Sequence, residues 1–219
     1  MSLPSGTATT ELLHRSASRV AAAGLTCTGG VPHFLAVSGR SRQLLDRWNG
    51  MTAGGAVARL DLTGMRHRAM LAASAQWQWW RHVTASTPTA RTWTELLDRV
   101  DQDPDKYPLS RALRDYHSQS RVLAMQMHNA MPGQPWPLPL ADIEAFQAGQ
   151  HAYINLAWLS AVPADGLACH GGLLLQPDSD RLSDRITYLR MANAHLQQLP
   201  RDAALVAVMV TGPLLPLDS

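Results

Sequence analysis

Arginine and tryptophan are the residues whose types and spacing point most directly to chemistry. Arg66, His67, Arg68, Trp77, Trp79, Trp80, Arg81 and His82 share one stretch, with Arg59 just before it and Arg91 and Trp93 just after. On a helix, Trp77 neighbours Trp80 three positions on and Arg81 four positions on. A ring beside a guanidinium suits single strands, because the ring stacks on a base while the planar guanidinium grips phosphate. The expected interface is Arg59, Arg66, Arg68, Arg81 and Arg91 for the phosphate backbone, with Trp80 as the stacking ring. Trp79 falls on the apolar stripe and is expected in the core. The competing readings are a protein interface and ordinary core packing, in which the tryptophans are buried and Arg81 snorkels.

Charge is distributed in the same sense. Of the 19 basic residues only Lys106 is lysine, and the formal net charge of +2 hides a split between the halves. Residues 1–91 carry ten arginines and three acids (Glu11, Asp46, Asp61), a net of +7, whereas residues 92–219 have a net of −5. Such asymmetry suits a nucleic-acid-binding or two-faced assembly subunit, or two halves that offset each other by packing together.

Other chemistries are less well supported. Gly24-Leu-Thr-Cys-Thr-Gly-Gly30 is echoed by Gly166-Leu-Ala-Cys-His-Gly-Gly172. The two segments read as similar strand connections with small buried cysteines. Whether Cys27 and Cys169 approach one another is not readable from sequence. Cys169 as a thiolate nucleophile needs a base within hydrogen-bond reach, and neighbouring residues of an extended chain point to opposite faces, which removes His170. His117 and His128 share a helical face but sit roughly 16 Å apart at 1.5 Å per residue, so they cannot ligate one ion. No pair of ligands at zinc or di-iron spacing occurs, and no metal or cofactor is expected. Asp98, Asp101, Asp103 and Asp105 lack the closing Glu of a calcium loop. Phosphate-loop, dinucleotide and nucleophile-elbow motifs are missing as well.

The elements that must position these residues read as α+β, mostly helical, with about six helices and a small sheet built from N-terminal strands and a C-terminal strand. Residues 1–10 are expected to be disordered and residues 11–219 to form a single domain. Helices are expected over Thr10–Ala23, Ser41–Trp48, Met65–Thr84, Thr92–Val100 (opened by the capping box Thr92-Trp-Thr-Glu95), Leu109–Met131, Asp142–Val162 and Asp178–Leu199. Strands are expected over Leu25–Thr28 and Val31–Val37 around Gly29-Gly30, over Val57–Leu62, and over the buried run Ala203–Val210. The long helix should bury Met65, Ala69, Ala72, Gln76, Trp79 and Val83. The helix over 109–131 should present Leu109, Leu113, Tyr116, Ser120, Leu123, Met127 and Met131 on one face. Four prolines at 132–139 make a stiff connector.

At 46% apolar and 16% charged residues the chain can bury a sizeable core. No window approaches the roughly 18 consecutive apolar residues of a membrane span, and Met1–Thr10 does not resemble a signal peptide. The expectation is therefore a non-enzymatic accessory subunit of a nucleic-acid-handling assembly in the bacterial cytoplasm. Its partners would be a nucleic-acid backbone and a protein or second copy, with no membrane. The alternatives are a cysteine-dependent enzyme using Cys169 and a protein-interaction module without nucleic acid.

Overall fold

The computed structural model describes residues 1–37 and 44–212. In chain order the elements are β1 (Ser2–Leu3), α1 (Leu12–Ala22), β2 (Thr26–Gly30), β3 (Phe34–Leu35), β4 (Leu44–Leu45), β5 (Met51–Thr52), β6 (Gly54–Ala56), α2 (Leu62–Val83), α3 (Trp93–Gln102), α4 (Leu109–His117), α5 (Ser120–Ala130), α6 (Ile143–Gln147), α7 (Gln150–Ser160), β7 (Leu167–Ala168), β8 (Leu174–Leu175), α8 (Leu182–Gln197), β9 (Ala204–Val206) and β10 (Val208–Thr211). The class is mixed α and β, with eight α-helices among the described residues rather than about six, and several small antiparallel sheets. Where one domain was expected over 11–219, the chain gathers into two compact units. One comprises Met1–His67, Leu159–Pro177 and Thr187–Ser219; the other comprises Arg68–Trp158 and Asp178–Ile186.

The first unit holds all the strands. Its main sheet runs β1-β9-β6-β4, so β9 is flanked by N-terminal strands. The rest of the C-terminal run expected as one buried strand is β10, largely exposed and paired with β2 in a separate sheet. Every residue of β9 is buried, which is why its sequence is a continuous apolar run. Residues 1–10, expected to be disordered, instead begin with a strand: Ser2 pairs with Leu205 and Leu3 with Ala204. Burial explains the difference, because Met1 and Leu3 join Leu12, Val20, Ala204 and Val206 in one apolar cluster. The expected turn at Gly29-Gly30 is also absent. β2 continues through both glycines and pairs with β10, with a register shift between Met209 and Val210. Val57–Arg59 is a 3-10 turn rather than a strand. Of the helix expected over Ser41–Trp48, residues 41–43 lie outside the described residues, and Leu44–Leu45 is strand.

The second unit is helical. The capping box forms as its spacing requires: Glu95 N donates to Thr92 Oγ1 (3.2 Å) and Thr92 N to Glu95 Oε2 (2.8 Å). The helix expected over 109–131 is broken at Gln119, whose side-chain amide donates to the carbonyls of Arg91 and Tyr116 and accepts from Arg91 N. Of the expected stripe only Tyr116 is buried. Ala112, Tyr116, Val122, Met125 and His128 are buried, whereas Leu109, Leu113, Leu123, Met127 and Met131 are exposed. Gly149, at φ +107°, separates α6 from α7 where one helix was expected. The Pro-rich connector is pinned by Asn129, whose side chain bonds both backbone groups of Leu138 (2.7 and 2.8 Å), and Leu138 is fully buried.

At Gly54 the approach of β6 to β9 leaves no room for a side chain: a Cβ there would lie 2.4 Å from the Leu205 carbonyl oxygen. Gly54→Ala is therefore expected to lower stability by about 1–3 kcal/mol, read as a reduced denaturation midpoint. An unchanged midpoint would contradict this packing.

Candidate nucleic-acid interface

Helix α2 opens at Asp61, whose Oδ1 accepts from Gly64 N (2.8 Å) in the manner of an N-cap. Across Leu62–Val83 the helix contains three arginines, two histidines and no acid. From Arg68 onward it belongs to the second unit.

Its orientation there is set by Trp80, which is 6% exposed. Trp80 stacks nearly parallel on Phe146 (centroids 5.3 Å, planes 8° apart), and Phe146 stacks in turn on Tyr153 at 4.1 Å. Trp77 donates its Nε1–H to the Phe146 carbonyl (3.1 Å). The Arg121 guanidinium lies 5.4 Å from the Trp80 ring centroid. Its nitrogens donate to Thr87 Oγ1, the Thr87 carbonyl and Gln147 Oε1 at 2.7–3.1 Å. Partial burial pushes the Arg121 pKa down from its ordinary value. Sequence reasoning missed Arg121 altogether, since nothing in the spacing of α5 marks one arginine as a partly buried cation beside Trp80.

This packing corrects the expected role of Trp80: ring stacking and burial leave no open face for a base. The outward ring is Trp79, expected in the core but 40% exposed. At 100° per residue, Arg68, Leu71, Ala75, Gln78, Trp79 and His82 fall on one face of α2, and all but the half-buried Ala75 are exposed. Trp79 has two aromatic neighbours, His82 edge-on at 6.1 Å and His128 at 6.2 Å.

The expected arginines fall into two groups. Arg68, Arg81 and Arg91 are exposed in the second unit, and none is in an ion pair among the described residues. The Arg81 guanidinium lies 5.8 Å from the Trp77 ring centroid, as their i,i+4 spacing implies. Arg68 and Arg81, thirteen residues apart, are about 20 Å apart along the axis and on different faces. Arg59 and Arg66 belong to the first unit. Arg59 ends a 3-10 turn and is half-buried. Arg66 Nη2 donates to Asn193 Oδ1 (2.8 Å), while the buried Asn193 amide donates to the carbonyls of Leu159 and Leu189. Burial lowers the Arg66 pKa, and its part is to hold helices together rather than to face a phosphate.

Cys27 and Cys169 are both free thiols. Cys169 is 3% exposed, its Sγ–H points to the Leu167 carbonyl, and burial pushes its pKa up, the opposite of an activated thiolate. His170 is turned to Arg19, with Nδ1 2.9 Å from Nη2. Among the described residues no three His, Cys, Asp or Glu side chains gather as a metal site. None of the described helices is long and apolar enough to cross a membrane.

Comparison with known proteins adds no relative: no protein-family model matches the chain, and no curated protein or solved structure does so either.

The two neighbouring tryptophans are expected to separate sharply on substitution. Trp80→Ala should cost about 3–5 kcal/mol, and Trp79→Ala about 1 kcal/mol or less, measured by denaturant unfolding. Equal losses would contradict the assigned orientation of α2.

Proposed function

We propose that this protein is a nucleic-acid-binding accessory subunit that grips the phosphate backbone through α2 of its second unit. The observation that carries this reading is that α2 bears no acid and that, of its three arginines, the two in the second unit are free of ion pairs among the described residues. Arg68 and Arg81 are exposed on it, and a half-exposed Trp79 lies on the Arg68 face. Guanidinium groups without carboxylate partners keep their full attraction for phosphate, and a partly open indole supplies a sequence-tolerant stacking surface. Arg91, eight residues past the end of α2, is likewise exposed and in no ion pair among the described residues. The sites for phosphate are therefore Arg68, Arg81 and Arg91, and the stacking ring is Trp79. Single strands are favoured over duplex because only unpaired bases offer a face to stack on.

The test is affinity for a labelled single-stranded oligonucleotide at two salt concentrations. With three phosphate contacts, binding should weaken about 20-fold between about 50 and 200 mM salt. The triple variant Arg68→Ala/Arg81→Ala/Arg91→Ala should lose most of that affinity and most of the salt slope. Trp79→Ala should weaken binding about tenfold at either salt. Absence of binding at low salt, or equal binding by the triple variant, would overturn the reading.

A second reading, action through protein contacts, is favoured by the exposed apolar residues of α4 and α5, Leu113, Leu123 and Met127 among them. It predicts a concentration-dependent mass in solution that Leu123→Asp/Met127→Asp abolishes. A monomer at all concentrations would remove self-association as its form.

A further inference from the structure

The first unit contains a cavity of about 450 Å³, well inside the range of small-molecule sites. Its interior is aliphatic and aromatic, built from the buried Val20, Phe34, Val162, Leu167, Leu196 and Leu205. The polar side chains on its lining are His33, Asp165 and Gln176. His33 donates Nε2–H to the Val162 carbonyl (3.1 Å), and burial lowers its pKa below the usual value, so the ring is neutral at neutral pH. Among the described residues the Asp165 carboxylate is thus the one charged side chain on the lining; the Met1 amino group there donates to the Val206 carbonyl, and burial lowers its pKa to about 5. Asp165 is solvent-exposed and in no ion pair among the described residues.

The backbone that presents Asp165 is held in an unusual conformation. Ala164, in the turn that follows α7, has φ +53°, a region that costs a non-glycine residue roughly 1–2 kcal/mol. Two contacts hold it there. Ala164 N donates to the Ser160 carbonyl (3.2 Å). The buried Tyr188 hydroxyl lies 3.2 Å from both the Pro163 and Ala164 carbonyl oxygens. Such imposed strain is characteristic of segments that present a functional group.

We propose that this cavity binds a small cationic amphiphile, with its aliphatic chain against the apolar interior and its protonated amine at the Asp165 carboxylate. Burial of the chain supplies the affinity, and the carboxylate discriminates between head groups. Anionic head groups meet a like charge at the mouth and are disfavoured, while a neutral alcohol of equal chain length reports the apolar contribution alone.

The experiment titrates the full chain, below the micelle concentration, with decylamine, decanol and decanoate, following the amide signals of residues 162–168 by NMR. Decylamine should bind most tightly and decanoate most weakly. Asp165→Asn, a change at an exposed position, should reduce decylamine affinity about five-fold and leave decanol unchanged. Equal affinity for the three probes, an unaltered amine preference in Asp165→Asn, or decylamine binding that leaves residues 162–168 unperturbed would each overturn the proposal. So would the absence of any decylamine binding.

Discussion

The parallel stack of Trp80 on Phe146 decides which way α2 faces, and the proposed function follows from that orientation. Consecutive helical residues differ by 100°, and with Trp80 buried Trp79 is 40% exposed, with Arg68, Gln78 and His82 on the same side. Large aromatic surfaces dominate core energetics, and the ring that finds a parallel partner captures the helix. Arg121 completes the arrangement. It brings a cation beside the buried ring, and its other hydrogen bonds secure the Thr87 and Gln147 segments around α2. A charge in that setting is tolerable because its donors are matched by acceptors.

The two arginines nearest the start of α2 show how one helix serves two purposes. Arg66 is drawn into a polar cluster centred on the buried Asn193, whose amide ties the carbonyls of Leu159 and Leu189. Arg68, two positions on, is turned by 200° and left exposed. Equal charge therefore does not mean equal availability. The basic excess of residues 1–91 is divided between groups that hold the fold and groups that can meet a phosphate.

Much of the local structure was legible where a specific chemical device specifies it. Thr92 and Glu95 announce a capping box and form one. The run Ala203–Val210 announces one buried strand, of which Ala204–Val206 is buried in the main sheet, whereas Val208–Thr211 is a second, largely exposed strand paired with β2. The sequence was ambiguous where two helical stripes compete. Met65, Ala69, Ala72, Gln76 and Trp79 recur at steps of three and four, as do Met65, Ala69, Ala73, Trp77 and Trp80, and the distant Phe146 decides between them. The 109–131 segment failed for a related reason. Its apolar period is real, but the Gln119 side chain takes up the backbone groups of Arg91 and ends the helix, and of the expected stripe only Tyr116 is buried. The Cys-Gly-Gly echo is an identity of letters alone. Gly29-Gly30 continues a strand, whereas Gly171-Gly172 closes a hairpin in which Cys169 N donates to the Leu173 carbonyl and Gly172 N to the Cys169 carbonyl. Partners far along the chain, not the local residues, make that difference.

Ultraviolet cross-linking of a 5-bromouracil-substituted single strand, followed by peptide mapping, tests the central claim most directly. Adducts are expected on the exposed face of α2, foremost at Trp79, and none at Trp80. Adducts confined to segments outside Arg68–Arg91, or attached to Trp80, would contradict it.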